Sequence, residues 1–116
     1  DAWFDRQWAL AVMDRALNRV AEGLKESGKE RQFEHLKPWL VGDAEGLSQA
    51  DAAAKLSVTT GALKVAIHRL RKRFRDALQR EIAQTVDDPN DVEGELRHLI
   101  AALSHTGAGE SGASPE

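Results

Sequence analysis

Apolar positions along the chain recur at spacings of three and four residues, which is the period of an amphipathic helix. The first such stretch runs from Trp3 to about Gly28, where glycine suits a helix C-cap. Its predicted buried side consists of Leu10, Met13, Leu17, Val20 and Leu24. A second helix is predicted over Lys29 to Val41, with Phe33, Leu36 and Leu40 on one side. Pro38 lies inside this helix, so we expect a kink or a break there.

Two further helices follow a loop at residues 42–46. Ser48 and Asp51 have the spacing of a capping box, which predicts a short third helix ending at Leu56. Thr59 can cap a fourth helix that continues to about Val86. The predicted buried stripe of this fourth helix is Leu63, Ile67, Leu70, Phe74, Ala77 or Leu78, and Ile82.

A fifth helix is predicted to begin with Asp88 as N-cap and Pro89 at the first position, and to end near Ser104. Its predicted buried side is Val92, Leu96, Leu99 or Ile100, and Leu103. Residues 105–116 are small and polar, and we expect them to be a disordered tail. No alternating apolar stretch indicates a strand, so the predicted fold is all-α: a small domain of four to five helices.

The segment from Gln49 to His68 has the pattern of a helix-turn-helix without a wing. Three alanines at 52–54 would let two helices approach closely, and residues 56–58 form a turn of the right length. The predicted core under this corner is Ala52, Leu56, Val58, Leu63 and Ala66. Ser57 occupies the tight-turn position, where glycine or asparagine tolerates a positive φ more easily. The predicted organisation is therefore N-terminal helices at 1–46, the helix-turn-helix at 47–86 and a C-terminal helix at 87–104.

Composition and charge narrow the function classes. The 116 residues, 41% hydrophobic and 30% charged, fit one folded domain and argue against a multidomain enzyme. The absence of cysteine excludes disulfides and thiolate zinc sites. The net charge is −3, yet the stretch from Lys64 to Arg80 contains seven basic residues and a single acid. Attraction to phosphate depends on such a local patch rather than on the overall charge.

The basic residues of the fourth helix predict contact with double-stranded DNA. Lys64, His68, Arg71 and Arg75 share one face of this helix, opposite its apolar stripe. Side chains near the start of a recognition helix read base edges in the major groove, which predicts Lys64, Val65, His68 and Arg69 as base-reading residues. The predicted backbone contacts are Thr59 and Thr60 at the helix N-terminus and Arg71, Lys72 and Arg75 further along.

Nothing in the sequence indicates catalysis. The histidines are isolated from clustered carboxylates, no serine has a nearby base, and no glycine-rich phosphate loop occurs, so we predict neither enzyme activity, nor a metal, nor a cofactor. Trp3, Trp8 and Trp39 are predicted to pack in the core or against a partner. No run of about 18 apolar residues predicts a membrane span. The chain begins at Asp1 without methionine or a basic leader, so we expect it to be part of a longer polypeptide.

The stretch from Gly46 to Gln79, GLSQADAAAKLSVTTGALKVAIHRLRKRFRDALQ, resembles region 4 of bacterial sigma factors, in particular the extracytoplasmic-function group. The elements that carry the resemblance are Gly46-Leu47-Ser48, Ala52-Ala53-Ala54, Gly61-Ala62-Leu63-Lys64 and Arg69-Leu70-Arg71-Lys72. Residues 3–17 and 81–103 resemble the flanking segments of one subgroup. The resemblance implies a cytoplasmic bacterial protein that recognises the promoter −35 element and docks on the flap of the RNA polymerase β subunit.

By matching positions, the resemblance implies that Thr59, Thr60, Lys64, Val65, His68 and Arg69 face the −35 DNA, with Arg71, Lys72 and Arg75 on its backbone. It leaves open whether an anti-sigma factor is a further partner. Region 2, which reads the −10 element, has no counterpart here, so this chain alone is not expected to support initiation. Two other functions remain as alternatives: a dimeric helix-turn-helix regulator that binds operator DNA, and a helical protein-interaction module that binds no DNA.

Overall fold

The computed structural model describes the backbone of residues 1–113 and the side chains of residues 1–103. Within this part of the chain there are five α-helices and no strand, which confirms the predicted all-α class. The helices are α1 (Ala2–Glu26), α2 (Glu30–Val41), α3 (Gln49–Leu56), α4 (Thr60–Ala83) and α5 (Val92–Ala113), the last preceded by one 3₁₀ turn at Pro89–Asp91. No helix among the described residues is long and apolar enough to cross a membrane.

The chain forms two compact units, whose boundaries fall inside α1 and α4. The first unit contains Asp1–Leu17 and the residues from Ala77 onward, and the second contains Asn18–Asp76. The core of the first unit is Ala9, Val12, Ala16, Ala77, Leu78, Ile82, Leu96 and Leu99. The core of the second unit is Val20, Leu24, Phe33, Leu36, Ala52, Ala53, Leu63, Ile67, Leu70 and Phe74. The predicted stripe of α4 is therefore buried along its length, with both Ala77 and Leu78 included.

In the first unit, an ion pair joins α1 to α4. Glu81 is only 6% exposed, and one of its carboxylate oxygens accepts a hydrogen bond from Arg15 Nε at 2.9 Å. A buried carboxylate needs such a partner because desolvation of an unpaired charge is costly. In the same unit, His98 of α5 lies 3.6 Å from an oxygen of Asp5 and next to the ring of Trp8.

The buried side of α1 differs from the prediction in its first half. Leu10 is exposed and Met13 and Leu17 are half-buried, whereas Ala9, Val12 and Ala16 are fully buried. The two sets share one helical period and differ in register by one residue. The prediction favoured the larger side chains, but small side chains at the contact line allow closer packing of helix backbones. Trp3 is also exposed and lies against Phe4 rather than in the core.

Glycines follow both α1 and α2, and the first of them was predicted as a C-cap. Gly28 after α1 and Gly42 after α2 both have positive φ, and the N–H of Gly42 donates to the Pro38 carbonyl. A kink or a break was predicted at Pro38, and the break does not occur, since α2 continues through it to Val41. Only the last turn lies beyond this proline, and the carbonyl it leaves without a helical partner belongs to the exposed Glu34, where water can hydrate it.

The residues between α3 and α4 combine two caps and one strained backbone. The Asp51 N–H donates to Ser48 Oγ at 3.1 Å, and the Ala62 N–H donates to Thr59 Oγ1 at 3.0 Å, which confirms both predicted N-caps. Ser57 has a φ of 60°, the only positive φ of a non-glycine residue in the described chain. The predicted contribution of Val58 to the core is wrong, because its side chain is 43% exposed.

Two helix ends differ from the sequence prediction. Helix α4 stops at Ala83 instead of about Val86, because the hydroxyl and the N–H of Thr85 both donate to the Ile82 carbonyl and close the last turn. Asp88 Oδ1 accepts a hydrogen bond from the Asn90 N–H and caps the 3₁₀ turn that precedes α5. Helix α5 continues to Ala113, beyond its predicted end near Ser104. Its bounds include residues 105–113, which lie in the segment predicted as a tail. Residues 114–116 lie outside the described residues.

The backbone at Ser57 predicts that glycine is preferred there. A left-handed conformation costs a non-glycine residue about 1–2 kcal/mol, and glycine avoids this cost. Glycine also makes the unfolded chain more flexible, which offsets part of the gain. We expect Ser57→Gly to raise the free energy of unfolding by about 0.5–1 kcal/mol, measured by urea denaturation. Ser57→Ala is the control, since it removes the hydroxyl and keeps the strain. Equal stabilisation by both variants would assign the effect to the hydroxyl and contradict the backbone explanation.

Candidate nucleic-acid interface

The buried stripe of α4 determines which of its basic side chains face outward. Leu63, Ile67, Leu70 and Phe74 are all less than 10% exposed and form one side of the helix within the second unit. Residues three or four positions apart share a face of a helix, so the opposite side is set by the same register. Eight of the nine residues predicted to contact DNA fall into three groups with different surroundings, and Arg71 differs from all three.

The first group is an exposed basic face, which consists of Lys64, His68, Lys72 and Arg75. These residues are spaced by four, four and three positions, so their side chains leave the same side of α4. Among the residues that the structure describes, none forms an ion pair with any of the four. The face therefore keeps its positive charge available for a partner outside the described chain.

The second group lies at the start of α4, where Thr59 and Thr60 are both exposed. Thr59 Oγ1 accepts the Ala62 N–H, so the cap fixes where the helix begins and leaves the hydroxyl hydrogen of Thr59 able to donate. The first N–H groups of a helix have no helical acceptor and carry a partial positive charge. This helix start adds anion-binding groups next to Lys64.

Arg71 belongs to neither group, although its spacing predicted it on the same face of α4 as Lys64, His68 and Arg75. Its Nε and one terminal nitrogen both donate to the Trp39 carbonyl, at 3.3 and 3.0 Å. This carbonyl lacks a helical donor because the N–H groups of Gly42 and Asp43 both bond to Pro38. A guanidinium at a helix C-terminus is favourable toward both the free carbonyl and the helix dipole. Arg71 thus caps α2 from α4.

The third group is Val65 and Arg69, which line a cavity of about 360 Å³ on another side of α4. The same cavity is lined by Phe33 and Leu36 of α2, and by Arg73. Val65 and Arg69 are also exposed to solvent. Sequence spacing placed them among the base-reading residues, whereas the structure gives them a shared environment with α2 that Lys64, His68, Lys72 and Arg75 lack.

Sequence reasoning missed the task of Arg71 because its acceptor is a main-chain atom 32 positions away. The sequence contained a weak signal: Pro38 and Gly42 indicate a helix end, and the last carbonyls of a helix need donors from elsewhere. The sequence could not indicate which of the nearby arginines supplies it. The cavity was missed for a similar reason, because its walls come from three separate helices.

Among the described residues, no group of three or more histidines, aspartates and glutamates is arranged to hold a metal ion. Comparison of the whole chain with known proteins gave no match to any family model, to any curated protein or to any solved structure. The evidence for the candidate interface therefore comes only from the residues and the geometry of this chain.

The capping role of Arg71 predicts different effects for two neighbouring basic residues. Arg71→Gln should lower the free energy of unfolding by about 1 kcal/mol, since hydrogen bonds from a charged group are lost at a partly solvated site. For a domain of this size, thermal denaturation should show a decrease in Tm of about 4 °C. Lys72→Gln is the matched control, and we expect no measurable change. Equal losses in both variants would mean that general charge on α4, rather than the α2 cap, affects stability.

Proposed function

We propose that this chain is the promoter-binding and polymerase-binding C-terminal part of an alternative sigma factor of the extracytoplasmic-function type. In this proposal α3, the turn at 57–59 and α4 form a helix-turn-helix, and α4 is the recognition helix in the major groove of the −35 element. The observation that carries the proposal is the exposed basic face of α4, which begins beside a capped helix start and has no intramolecular ion pair within the described residues.

The proposal divides the basic face by position along α4. Lys64 and His68 lie in the first turns, where recognition helices meet base edges, and a lysine there suits the acceptors of guanine. Lys72 and Arg75 lie further along and suit phosphate oxygens. At 1.5 Å per residue, Lys64 and Arg75 are separated by about 16 Å along the helix, which corresponds to roughly five base-pair steps. This length fits one short DNA element.

Thr59, Thr60 and the free N–H groups at the start of α4 add a phosphate contact next to the base-reading residues. Arg69 and Val65 are assigned to the edge of the interface, because they also line the cavity beside α2. Arg71 supports the interface indirectly, since it joins α4 to the end of α2 through the Trp39 carbonyl. The helices before α3 provide the polymerase-facing side in this proposal.

Two substitutions on the basic face separate base reading from backbone contact. We expect Lys64→Ala to cost about 1–3 kcal/mol of binding on the preferred sequence and to relax one base preference. Arg75→Ala should weaken binding to all sequences alike and reduce the slope of log K against log salt by about 1. Fluorescence anisotropy with selected and scrambled duplexes measures both effects, and exposed Lys37→Ala on α2 is the control.

Two results of this experiment would contradict parts of the proposal. If Lys64→Ala loses the same affinity on selected and scrambled DNA, Lys64 does not read a base. If the unchanged chain shows negligible DNA affinity even at about 50 mM salt, where phosphate contacts are strongest, the chain is a protein-interaction module instead.

The sigma assignment itself is tested by co-elution with the isolated flap domain of the β subunit of the host RNA polymerase. A stoichiometric complex supports the assignment. Absence of a complex between well-folded partners contradicts it and leaves a general helix-turn-helix regulator. Light scattering then separates the remaining classes, because a stand-alone regulator that reads two half-sites is expected to be a dimer.

A further inference from the structure

The cavity in the second unit combines an apolar wall with a charged mouth. Four of its lining side chains, Leu24, Phe33, Leu36 and Leu70, are each less than 10% exposed and form the apolar wall. Its charged lining residues, by contrast, are exposed to solvent. Polarity therefore rises from the inner wall toward the surface.

All the charged residues that line the cavity are basic: Lys29 from the start of α2, and Arg69 and Arg73 from α4. No aspartate or glutamate is among its described lining residues. Three cations around one apolar opening, with no acid to balance them, favour an anion at the mouth. Gln32 adds one further polar group that can hydrogen-bond to it.

The size of the cavity limits the occupant. A volume of about 360 Å³ falls at the small end of the range for ligand pockets. Apolar cavities of about 150 Å³ hold benzene, so this cavity has room for an apolar group about twice the size of benzene. A docked protein segment would need a much longer contact surface, since stable interfaces bury about 800 Å² on each partner.

We propose that this cavity binds a small amphiphilic carboxylate, with its hydrocarbon or aryl body against Phe33 and Leu36 and its carboxylate at Arg69 and Arg73. Arginine suits this role because its planar N–H groups match a carboxylate. The inference goes beyond the proposed function and concerns a second site on the same helix. Its test contains no DNA, so its failure would leave the DNA-binding proposal unaffected.

The test is titration of the full chain with decanoate, followed by isothermal calorimetry and by displacement of the fluorescent probe anilinonaphthalene sulfonate. Decanoate should bind saturably with one site per chain and displace the probe. Decyltrimethylammonium, which has the same tail and the opposite charge, should do neither. Equal binding of the two compounds would overturn the proposal, because the basic mouth would then play no part.

Matched double variants locate the site. Replacement of both Arg69 and Arg73 by glutamine should weaken decanoate binding about tenfold, through loss of hydrogen bonds to an ionised group. Replacement of both Lys72 and Arg75 by glutamine removes the same charge from the exposed basic face and should change binding less than about twofold. Similar losses in the two variants, or no saturable binding by the unchanged chain, would contradict the site.

A third variant tests the apolar wall without altering charge. Ala66 is half-buried and lines the cavity one helical turn before Arg69. Ala66→Leu should fill part of the cavity and abolish displacement of the probe by decanoate, while circular dichroism shows an unchanged helix content. Full binding by this variant with its fold intact would show that decanoate lies elsewhere.

Discussion

Burial of one face of α4 is the constraint on which the rest of the structure depends. Leu63, Ile67, Leu70 and Phe74 form part of the core of the second unit, and Leu78 and Ile82 form part of the core of the first. Because a helix has a fixed rotation per residue, burial of this stripe also fixes the direction of every basic side chain between its members. The outward positions of Lys64, His68, Lys72 and Arg75 follow from apolar packing.

The same rotation gives three sides of α4 different chemical tasks. One side presents uncompensated positive charge to solvent, a second donates Arg71 to the end of α2, and a third lines an apolar cavity with Arg69 and Arg73 at its mouth. Residues that are adjacent in sequence, such as Arg71 and Lys72, therefore differ in what they contact. A run of basic residues on a helix is not a single functional unit.

The cap on α2 illustrates how a local backbone problem becomes a tertiary contact. Pro38 and the left-handed Gly42 end α2 in a way that leaves the Trp39 carbonyl without a backbone donor. A guanidinium from α4 supplies two donors to it, so α4 is held at a defined place beside the end of α2. In the proposed function this contact keeps the recognition helix oriented.

Local chemistry in the sequence determined the helices and most of their starts, since capping and periodicity involve residues within one turn of each other. Ser48 and Thr59 cap as predicted, and Asp88 caps the 3₁₀ turn that leads into α5. The sequence also predicted the basic residues of the candidate site. Only the tertiary structure decided that Ala9 and Val12, rather than Leu10 and Met13, form the core, and that Arg71 serves α2 while Arg69 lines a cavity. These outcomes depend on which elements pack together, and periodicity within one helix carries no information about its neighbours.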